Sequence, residues 1–414
     1  MSTDWNARYA RRLKWMTTST IREILKFAQA GGIISLAGGW PEADLFPISQ
    51  FDAICHDVLT QMPRESLQYG LTDGFPLLRQ AIAEYMAQEG VQVKAENVVI
   101  ISGSQQGPDL MGRIFLDEGD TVLVENPTFL GALQSFNAYG VQYAPIPLDE
   151  QGLCIDQLEG IVERTHPKFM YLIPTFQNPT GVTLSLERRR QVVEIADRLG
   201  VPILEDDPYS PLRFAGEPLP SLLALDAARF RENTAAGSYV RGNVVYLSTF
   251  SKTLAPGLRV AWAVCPPEIA QQFVMAKQGS DLHTNALAQT IAYEFLRRGW
   301  LPAQIQRIRD TYLERCNAMC EAIAEYLPAD VRYTKPEGGL FLWVTIPGDI
   351  DTVELLKEAV QHKVAFVPGS PFFVEGSGRN TLRLSFASVP PETIREGIKR
   401  LGAVIQSHLA MAIR

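Results

Sequence analysis

Residues 244–259 read VVYLSTFSKTLAPGLR, and the lysine in this stretch organises our interpretation of the chain. The apolar run at residues 244–247, followed by small and polar residues, predicts a buried strand that ends in a loop. Lys252 lies in that loop, close to the hydroxyls of Thr249 and Ser251 and ahead of Arg259. A lysine acts as a nucleophile only while its amine is uncharged, and a nearby cation or partial burial favours that state.

The other polar residues of this loop are suited to binding a phosphate. Thr249 and Ser251 offer hydroxyl donors, and the planar guanidinium of Arg259 can clamp two phosphate oxygens. The turn SGSQQG (residues 102–107) follows another apolar run and opens a helix, which is a further anion-binding arrangement. A reactive amine beside a phosphate site suggests pyridoxal phosphate as cofactor. The alternative that these stretches leave open is a solvated Lys252 with Arg259 paired elsewhere.

Continuous apolar runs alternate with helical patterns through the first two thirds of the chain. The runs lie at residues 98–101, 121–124, 169–173, 202–204 and 244–247. Such runs, separated by helices, predict an α/β domain with a mostly parallel central sheet buried on both faces. Ligands bind beyond the carboxyl ends of strands in these sheets. We therefore expect the polar residues that follow Ile101, Ile173 and Leu204 to meet Lys252 at one site.

From about residue 290 the pattern changes to long helices and alternating strands, which predict a smaller α+β domain. We expect a large cofactor-binding domain at residues 48–289. Residues 1–47 and 290–414 then form the small domain, with an N-terminal arm or helix. Residues 219–242 are rich in Ala, Arg and Asn, and we interpret them as a weakly structured surface insertion.

Composition and charge restrict the class of protein. The 414 residues include 46% hydrophobic and 20% charged residues, as in ordinary globular proteins, and the formal charge of −8 argues against a general nucleic-acid surface. No apolar segment reaches the roughly 18 residues of a membrane helix, and a secretory segment is lacking, although an Arg-rich transit peptide stays an alternative. Five scattered cysteines without C-x-x-C spacing indicate neither disulfides nor a metal site, so we expect a reduced, cytoplasmic location.

Several motifs occur together along the chain and resemble one family. They are SLAGGWP (35–41), QYG (68–70), GSQQ (103–106), QNPTG (177–181), EDDPY (205–209), TFSK (249–252) and Arg383 in the last apolar run. In this order they resemble the pyridoxal-phosphate-dependent aminotransferases of fold type I over essentially the whole chain, in particular the branch of 2-aminoadipate and kynurenine aminotransferases. One departure is Thr249, where the family usually has serine, and this change keeps the hydroxyl.

The resemblance implies roles for the residues around the cofactor ring. It implies that Lys252 holds the cofactor as an aldimine and moves the proton between substrate and cofactor carbons. Asp206 is implied as the partner of the ring nitrogen, in preference to Asp207, because the family spacing places Tyr209 three residues after it. Asn178 and Tyr209 are implied to donate hydrogen bonds to the phenolic oxygen of the ring, and Asn178 also to contact the substrate.

Further residues are carried over by motif. Phe129 is implied to stack on the ring, and Arg383 with the backbone amide of Gly39 to bind the substrate α-carboxylate. Tyr69 is implied to reach the phosphate of the other subunit's cofactor, which makes the active unit a homodimer. Within one subunit, the phosphate is expected to be held by Ser104, Gln105, Thr249, Ser251 and Arg259.

The implied reaction is transamination from an L-amino acid to a 2-oxo acid. The expected donors are 2-aminoadipate, aromatic or branched and aliphatic amino acids, and the expected acceptor is 2-oxoglutarate. A β-lyase or decarboxylase on the same fold is the enzymatic alternative, and an aminotransferase-like domain of transcription regulators is the non-enzymatic one. The sequence TSTIRE (18–23) resembles a helix of the aminoadipate branch whose arginine pairs with acidic substrates. Arg22 is therefore a candidate for substrate selectivity, with a solvated helix arginine as the alternative.

Overall fold

The computed structural model describes residues 2–16, 32–88, 90–230 and 240–412. The α-helices of these ranges are, in chain order, α1 (Ile48–Gln61), α2 (Pro63–Leu67), α3 (Pro76–Gln88), α4 (Gln106–Phe115), α5 (Leu130–Asn137), α6 (Ile155–Thr165), α7 (Leu186–Leu199), α8 (Leu222–Ala228), α9 (Pro267–Gln278), α10 (Ala286–Arg297), α11 (Leu301–Tyr326), α12 (Thr352–Gln361) and α13 (Pro391–Ala412). Exposed 3-10 turns at Asn6–Arg8 and Arg11–Lys14 form the N-terminal arm.

The strands form three sheets. In chain order they are β1 (Ile34–Ser35), β2 (Val98–Ile101), β3 (Thr121–Asn126), β4 (Gln142–Asp149), β5 (Gly152–Leu153), β6 (Phe169–Leu172), β7 (Ile203–Asp206), β8 (Val244–Thr249), β9 (Ala261–Val264), β10 (Arg332–Tyr333), β11 (Phe341–Thr345), β12 (Val364–Ala365), β13 (Val367–Pro368) and β14 (Thr381–Ser385).

The main sheet has eight strands in the order β2-β9-β8-β7-β6-β3-β4-β5. Neighbours from β8 through β4 are parallel, whereas β9 runs antiparallel to both β2 and β8, and β5 runs antiparallel to β4. Strands β2, β3, β6, β7 and β8 therefore point the same way. The predicted α/β fold with a mostly parallel central sheet is confirmed.

Both faces of this sheet are buried, which explains the continuous apolar runs. In β7, Leu204 belongs to the apolar cluster on one face, and Ile203 belongs to the cluster on the other face. Successive side chains of a strand point to opposite faces, so neighbouring residues at the end of β7 serve different sides of the sheet.

Helix α7 illustrates how local sequence defines the elements around this sheet. The hydroxyl of Ser185 accepts a hydrogen bond from the Arg188 amide and caps the first turn. Gly200 ends the helix in the left-handed region, at φ 66°, where glycine carries no steric cost.

A second sheet is antiparallel, in the order β10-β11-β14-β13, and a short parallel pair joins β1 to β12. Leu36 continues this link, because its amide donates to Ala365 and its carbonyl accepts from Ser385. The segment that follows β1 is thereby tied to β14. The proposed domain boundary at residues 289 and 290 falls inside α10, and the division into domains stays a prediction.

The interpretation of residues 219–242 as a weakly structured surface insertion is wrong for its first part. Helix α8 lies there, with Leu222 and Leu223 fully buried and Ser221 as its cap. The carboxylate of Glu205 accepts hydrogen bonds from the amides of Leu222 and Leu223, which fixes the helix start against β7. Residues 231–239 lie outside the described ranges.

Candidate active site

The carboxyl ends of the parallel strands bring the predicted polar residues to one edge of the main sheet. Lys252 follows β8 at this edge, and Asp206 is the last residue of β7 at the same edge. The loops after three other strands carry further residues from the sequence prediction. After β2 come Ser104 and Gln105, after β3 comes Phe129, and after β6 comes Asn178.

Lys252 Nζ donates a hydrogen bond of 2.9 Å to the carbonyl oxygen of Gly39. Burial, and then the positive charges of Arg383 and Arg259, lower the pKa of Lys252 to about 8, while the carboxylate of Asp206 opposes this shift. A neutral amine is therefore accessible near neutral pH. This is the property that a nucleophilic lysine requires.

Asp206 and Asp207 face different surroundings, as their adjacent positions in an extended chain require. Oδ2 of Asp206 accepts a hydrogen bond of 2.7 Å from the hydroxyl of Tyr171, whereas Oδ1 is buried without a hydrogen-bond partner in the described part of the chain. Burial raises the pKa of Asp206 to about 7. Asp207 instead accepts hydrogen bonds from Ser210 and from the hydroxyl of Tyr246.

Thr249, Ser251 and Arg259 surround the start of the Lys252 loop. The hydroxyls of Thr249 and Ser251 are 2.9 Å apart and hydrogen-bonded, and both side chains are buried. Arg259 Nη2 donates to the carbonyl of Ser102, at 3.4 Å. Gly103 has φ 85°, a left-handed conformation that favours glycine, and a Cβ atom there would displace the Arg259 guanidinium.

Arg383 lies on β14 and is almost fully buried. Nη1 donates to Asn178 Oδ1 at 2.8 Å, and Nη2 donates to the carbonyl of Ala37 at 3.0 Å. Its guanidinium lies 4.1 Å from the ring centre of Phe341 and 5.2 Å from that of Phe372. Nε has no partner within the described residues, and burial lowers the pKa of Arg383 to about 10. A buried cation with a free donor is an anion site.

Asn178 connects Arg383 to Tyr209. Its Nδ2 lies 3.5 Å from the hydroxyl of Tyr209, and both side chains are buried. Burial raises the pKa of Tyr209 above its usual value, so its hydroxyl stays protonated at neutral pH and can donate a hydrogen bond.

Phe129 lies immediately before α5 and is half-buried. A Cβ atom on Gly131 would collide with the Phe129 ring and with the amide of Gln105, so this glycine permits their close approach. Gln105 donates to the Gly131 carbonyl at 2.5 Å and to Ser135 at 2.8 Å. Ser104 is half-buried beside it.

Within the described ranges, Tyr69 is a predicted site residue that no hydrogen bond or ring contact joins to this group. Tyr69 is 80% exposed, and its ring contacts the edge of His283 with ring centres 5.8 Å apart. Arg22 lies outside the described residues.

Sequence reasoning missed Tyr171 and Gly131. Tyr171 occupies an apolar run whose composition indicates only a buried strand, and its contact with Asp206 depends on the pairing of β6 with β7. Gly131 follows Phe129 by two positions, and a glycine in the first turn of a predicted helix was an available signal of a close approach.

Two kinds of feature are absent from the described ranges. No helix there is both long and apolar enough to cross a membrane. Within the same ranges, no group of at least three His, Cys, Asp or Glu residues is arranged to hold a metal ion.

Comparisons with known proteins show that this chain is similar to several aminotransferases. An aromatic-amino-acid aminotransferase of Thermococcus litoralis is 41% identical, with 98% of this chain and 96% of the relative covered. A 2-aminoadipate transaminase of Thermus thermophilus is 42% identical, with 98% of each chain covered. The crystal structure of α-aminoadipate aminotransferase from Thermus thermophilus, complexed with N-(5'-phosphopyridoxyl)-L-leucine, has a TM-score of 0.90 at 41% identity and covers 99% of this chain and 100% of its own.

The donor set described above fits pyridoxal phosphate. The unpartnered oxygen of Asp206 is suited to a protonated ring nitrogen, and Lys252 offers an amine for the aldehyde. The hydroxyls of Thr249 and Ser251 and the guanidinium of Arg259 are suited to the phosphate. The buried guanidinium of Arg383 is suited to a substrate carboxylate.

The family assignment agrees with this chemistry. The family model for aminotransferases of class I and II matches residues 47–401. Fold, relatives and cofactor chemistry thus converge, and the chain belongs to the class I and II aminotransferase family, as an aminotransferase that uses pyridoxal phosphate.

Proposed function

We propose that the protein transfers the amino group of an aromatic, 2-aminoadipate, or branched and aliphatic L-amino acid to 2-oxoglutarate. The relatives named for aromatic amino acids and for 2-aminoadipate support the first two donor classes. The observation that carries the proposal is the buried grouping around Lys252 Nζ. The charge of Arg383 lowers the pKa of Lys252, and Lys252 and Asp206 each favour the charged form of the other. The site then offers a nucleophile, an anion for a ring nitrogen and a cation for a carboxylate.

Arg383 is the proposed ligand of the substrate α-carboxylate, with the Gly39 amide as a second donor. The planar fork of a guanidinium matches a carboxylate, and Nε is free to donate. The rings of Phe341 and Phe372 hold the guanidinium by cation–π contacts, so its orientation is set before substrate arrives. A lysine at this position would lack the fork.

Lys252 is the proposed nucleophile and proton carrier. When bound, the cofactor supplies an aldehyde that takes up the amino group and a ring that accepts electrons from the substrate α-carbon. Lys252 is the residue that would hold the cofactor by its aldehyde carbon, and its Nζ would be a free amine while substrate occupies the site. Its neutral amine then removes the α-proton, which is possible because its pKa is lowered to about 8.

The other residues orient the cofactor. Asp206 holds the ring nitrogen protonated, and the Tyr171 hydroxyl keeps one of its two carboxylate oxygens occupied. Asn178 and Tyr209 would donate hydrogen bonds to the phenolic oxygen, and Phe129 would supply an aromatic face for the ring. The phosphate cradle consists of Ser104, Gln105, Thr249, Ser251 and Arg259.

A panel of amino donors with 2-oxoglutarate tests the proposed reaction. We expect each accepted donor to give its 2-oxo acid and an equal amount of glutamate. Ammonia and pyruvate would instead identify a β-lyase, and carbon dioxide would identify a decarboxylase. Either of those product sets, without glutamate, would contradict the proposal. If 2-oxoglutarate does not accept the amino group but pyruvate does, only the proposed acceptor is wrong.

The same panel tests Arg22, whose role is a prediction from sequence alone. If its guanidinium pairs with the distal carboxylate of acidic substrates, Arg22→Ala should raise KM for 2-aminoadipate and 2-oxoglutarate about tenfold or more. KM for leucine or aromatic donors should stay within about twofold. The control is Arg190→Ala, because Arg190 is an exposed arginine of α7. An equal rise for acidic and apolar donors would show that Arg22 does not read the side chain.

A homodimer is proposed because Tyr69 lies on an exposed apolar surface. Leu67 is 66% exposed, Tyr69 80% and Leu71 57% in the single chain. Burying three such neighbours on a second copy removes apolar area from water. It would also bring Tyr69 to the phosphate of the partner's cofactor, the position that the resemblance implies.

Tyr69→Phe should weaken cofactor binding, because one hydrogen bond to a charged phosphate is lost. The expected loss is about 2 kcal/mol, or about 30-fold in the dissociation constant of pyridoxal phosphate. Tyr333→Phe in β10 serves as the matched control. Light scattering at assay concentration gives the oligomeric state, and a fully active monomer would contradict the composite site.

A further inference from the structure

Lys277, in the last turn of α9, is a fully buried lysine that the proposed reaction does not use. Its Nζ donates a hydrogen bond of 2.7 Å to Oδ1 of Asp281. Burial lowers the pKa of Lys277, and Asp281 opposes this effect. Burial alone would raise the pKa of Asp281, but the hydrogen bonds from Lys277 and Ser102 lower it below its usual value. The short contact between Nζ and Oδ1 makes Lys277 and Asp281 an ion pair.

The second oxygen of Asp281 holds both ends of the turn between β2 and α4. Oδ2 accepts 2.6 Å from the hydroxyl of Ser102 and 3.0 Å from Nε2 of Gln106. Gln106 Oε1 in turn accepts from the Ser102 amide at 2.8 Å. The Thr284 hydroxyl lies 3.1 Å from that of Ser102. The turn at residues 102–106 is thus closed by side chains and anchored to the half-buried carboxylate of Asp281.

This turn presents Ser104 and Gln105, the proposed phosphate ligands, between its two anchored ends. Arg259 also contacts this turn, because it donates a hydrogen bond to the carbonyl of Ser102. Free amides at the start of a helix bind an anion only while the turn holds them in a common direction. A turn with Gly103 at φ 85° loses more entropy on ordering than other sequences, so external anchoring has a large effect on its geometry.

An ion pair with one fully buried member, Lys277, and one half-buried member, Asp281, is by itself a weak source of stability. The desolvation of both ions offsets much of their attraction, and apolar residues of similar volume often serve a fold equally well. Lys277 and Asp281 lie four residues apart, and their charges converge on the phosphate turn rather than on the apolar core. The network therefore fits a role in positioning the turn at residues 102–106 better than a role in stabilising the fold.

We propose that Lys277 and Asp281 form a positioning pair that fixes the turn at residues 102–106 for the cofactor phosphate. Lys277 orients Asp281, and Asp281 orients Ser102 and Gln106. The proposal rests on the proposed phosphate cradle of Ser104, Gln105 and Arg259. It assigns the pair to the phosphate alone, so the ring, the aldehyde and the substrate carboxylate are held independently of it.

The test compares two probes on the apoprotein: pyridoxal phosphate and pyridoxal, which lacks the phosphate. Lys277→Met keeps the side-chain length without the charge, and Asp281→Asn keeps the shape without the charge. Each should raise the dissociation constant of pyridoxal phosphate about 10- to 100-fold and leave that of pyridoxal within about twofold. Absorbance titration measures both constants, and thermal unfolding of each apoprotein reports stability separately.

Arg259→Gln is the reference variant, because Arg259 belongs to the cradle itself. It should lose the preference for pyridoxal phosphate over pyridoxal. If Arg259→Gln loses this preference while Lys277→Met and Asp281→Asn keep it, the positioning role is wrong and the proposed phosphate cradle is retained. Equal losses for both probes in these two variants would likewise overturn it in favour of a general structural role. If Arg259→Gln also keeps the preference, the phosphate cradle is wrongly assigned, and the positioning role that rests on it is wrong as well.

Discussion

Lys252→Ala should lower turnover at least about 10⁴-fold, because it removes the nucleophile and the base in one change. Both functions require an amine that is neutral for part of the time. With a pKa of about 8, about one quarter of the Lys252 side chains are neutral at pH 7.5, compared with about 0.1% for an ordinary lysine. Steady-state rates with an accepted donor measure the loss, and absorbance shows whether cofactor still attaches covalently.

Two variants separate this chemistry from charge and folding. Lys252→Arg keeps the positive charge but cannot deprotonate near neutral pH, so it should lose turnover to a similar extent. Lys168→Ala removes an exposed lysine and should retain activity. In the wild type, the rate of covalent cofactor capture should rise with pH and level off above about 8, where the amine is already neutral. Turnover of Lys252→Ala within about tenfold of the wild type would contradict the assignment.

The general position of the site could be predicted because parallel strands end at one edge. Lys252, Asp206 and Asn178 each follow an apolar run, so knowledge of the sheet alone predicts their proximity. Arg383 is different, since it comes from the second sheet. Only the motif resemblance indicated its role, because nothing local shows that β14 lies against the main sheet.

Contacts that depend on strand pairing or on distant segments could not be predicted. Tyr171 meets Asp206 because β6 and β7 are neighbours, and strand order is not visible in either run. Asp281 reaches Ser102 across 179 residues of sequence. Helix α8 was missed because the average composition of residues 219–242 concealed the short apolar pair Leu222 and Leu223, although Ser221 offers a recognisable cap.

Asp206→Asn should lower kcat about 10³-fold, and Asp207→Asn should not, although the two carboxylates are adjacent in sequence. Asparagine fills the same volume but carries no negative charge, so it cannot hold the ring nitrogen protonated while electrons move into the ring. Oδ1 of Asp206 is buried without a partner in the described part of the chain, so this oxygen is available to a protonated ring nitrogen.

Asp207 is a matched control, because its oxygens are occupied by Ser210 and Tyr246. Asp207→Asn should weaken those bonds and lower the free energy of unfolding by about 1 to 2 kcal/mol, with kcat of the folded enzyme within about threefold of wild type. Asp206→Asn should instead lose kcat while keeping or raising the free energy of unfolding. The stability is kept because removing a buried carboxylate whose pKa is raised to about 7 relieves a desolvation cost. Rates and thermal unfolding of both variants decide the question. A larger loss of kcat in Asp207→Asn than in Asp206→Asn would transfer the ring-nitrogen role to Asp207 and contradict the family spacing to Tyr209.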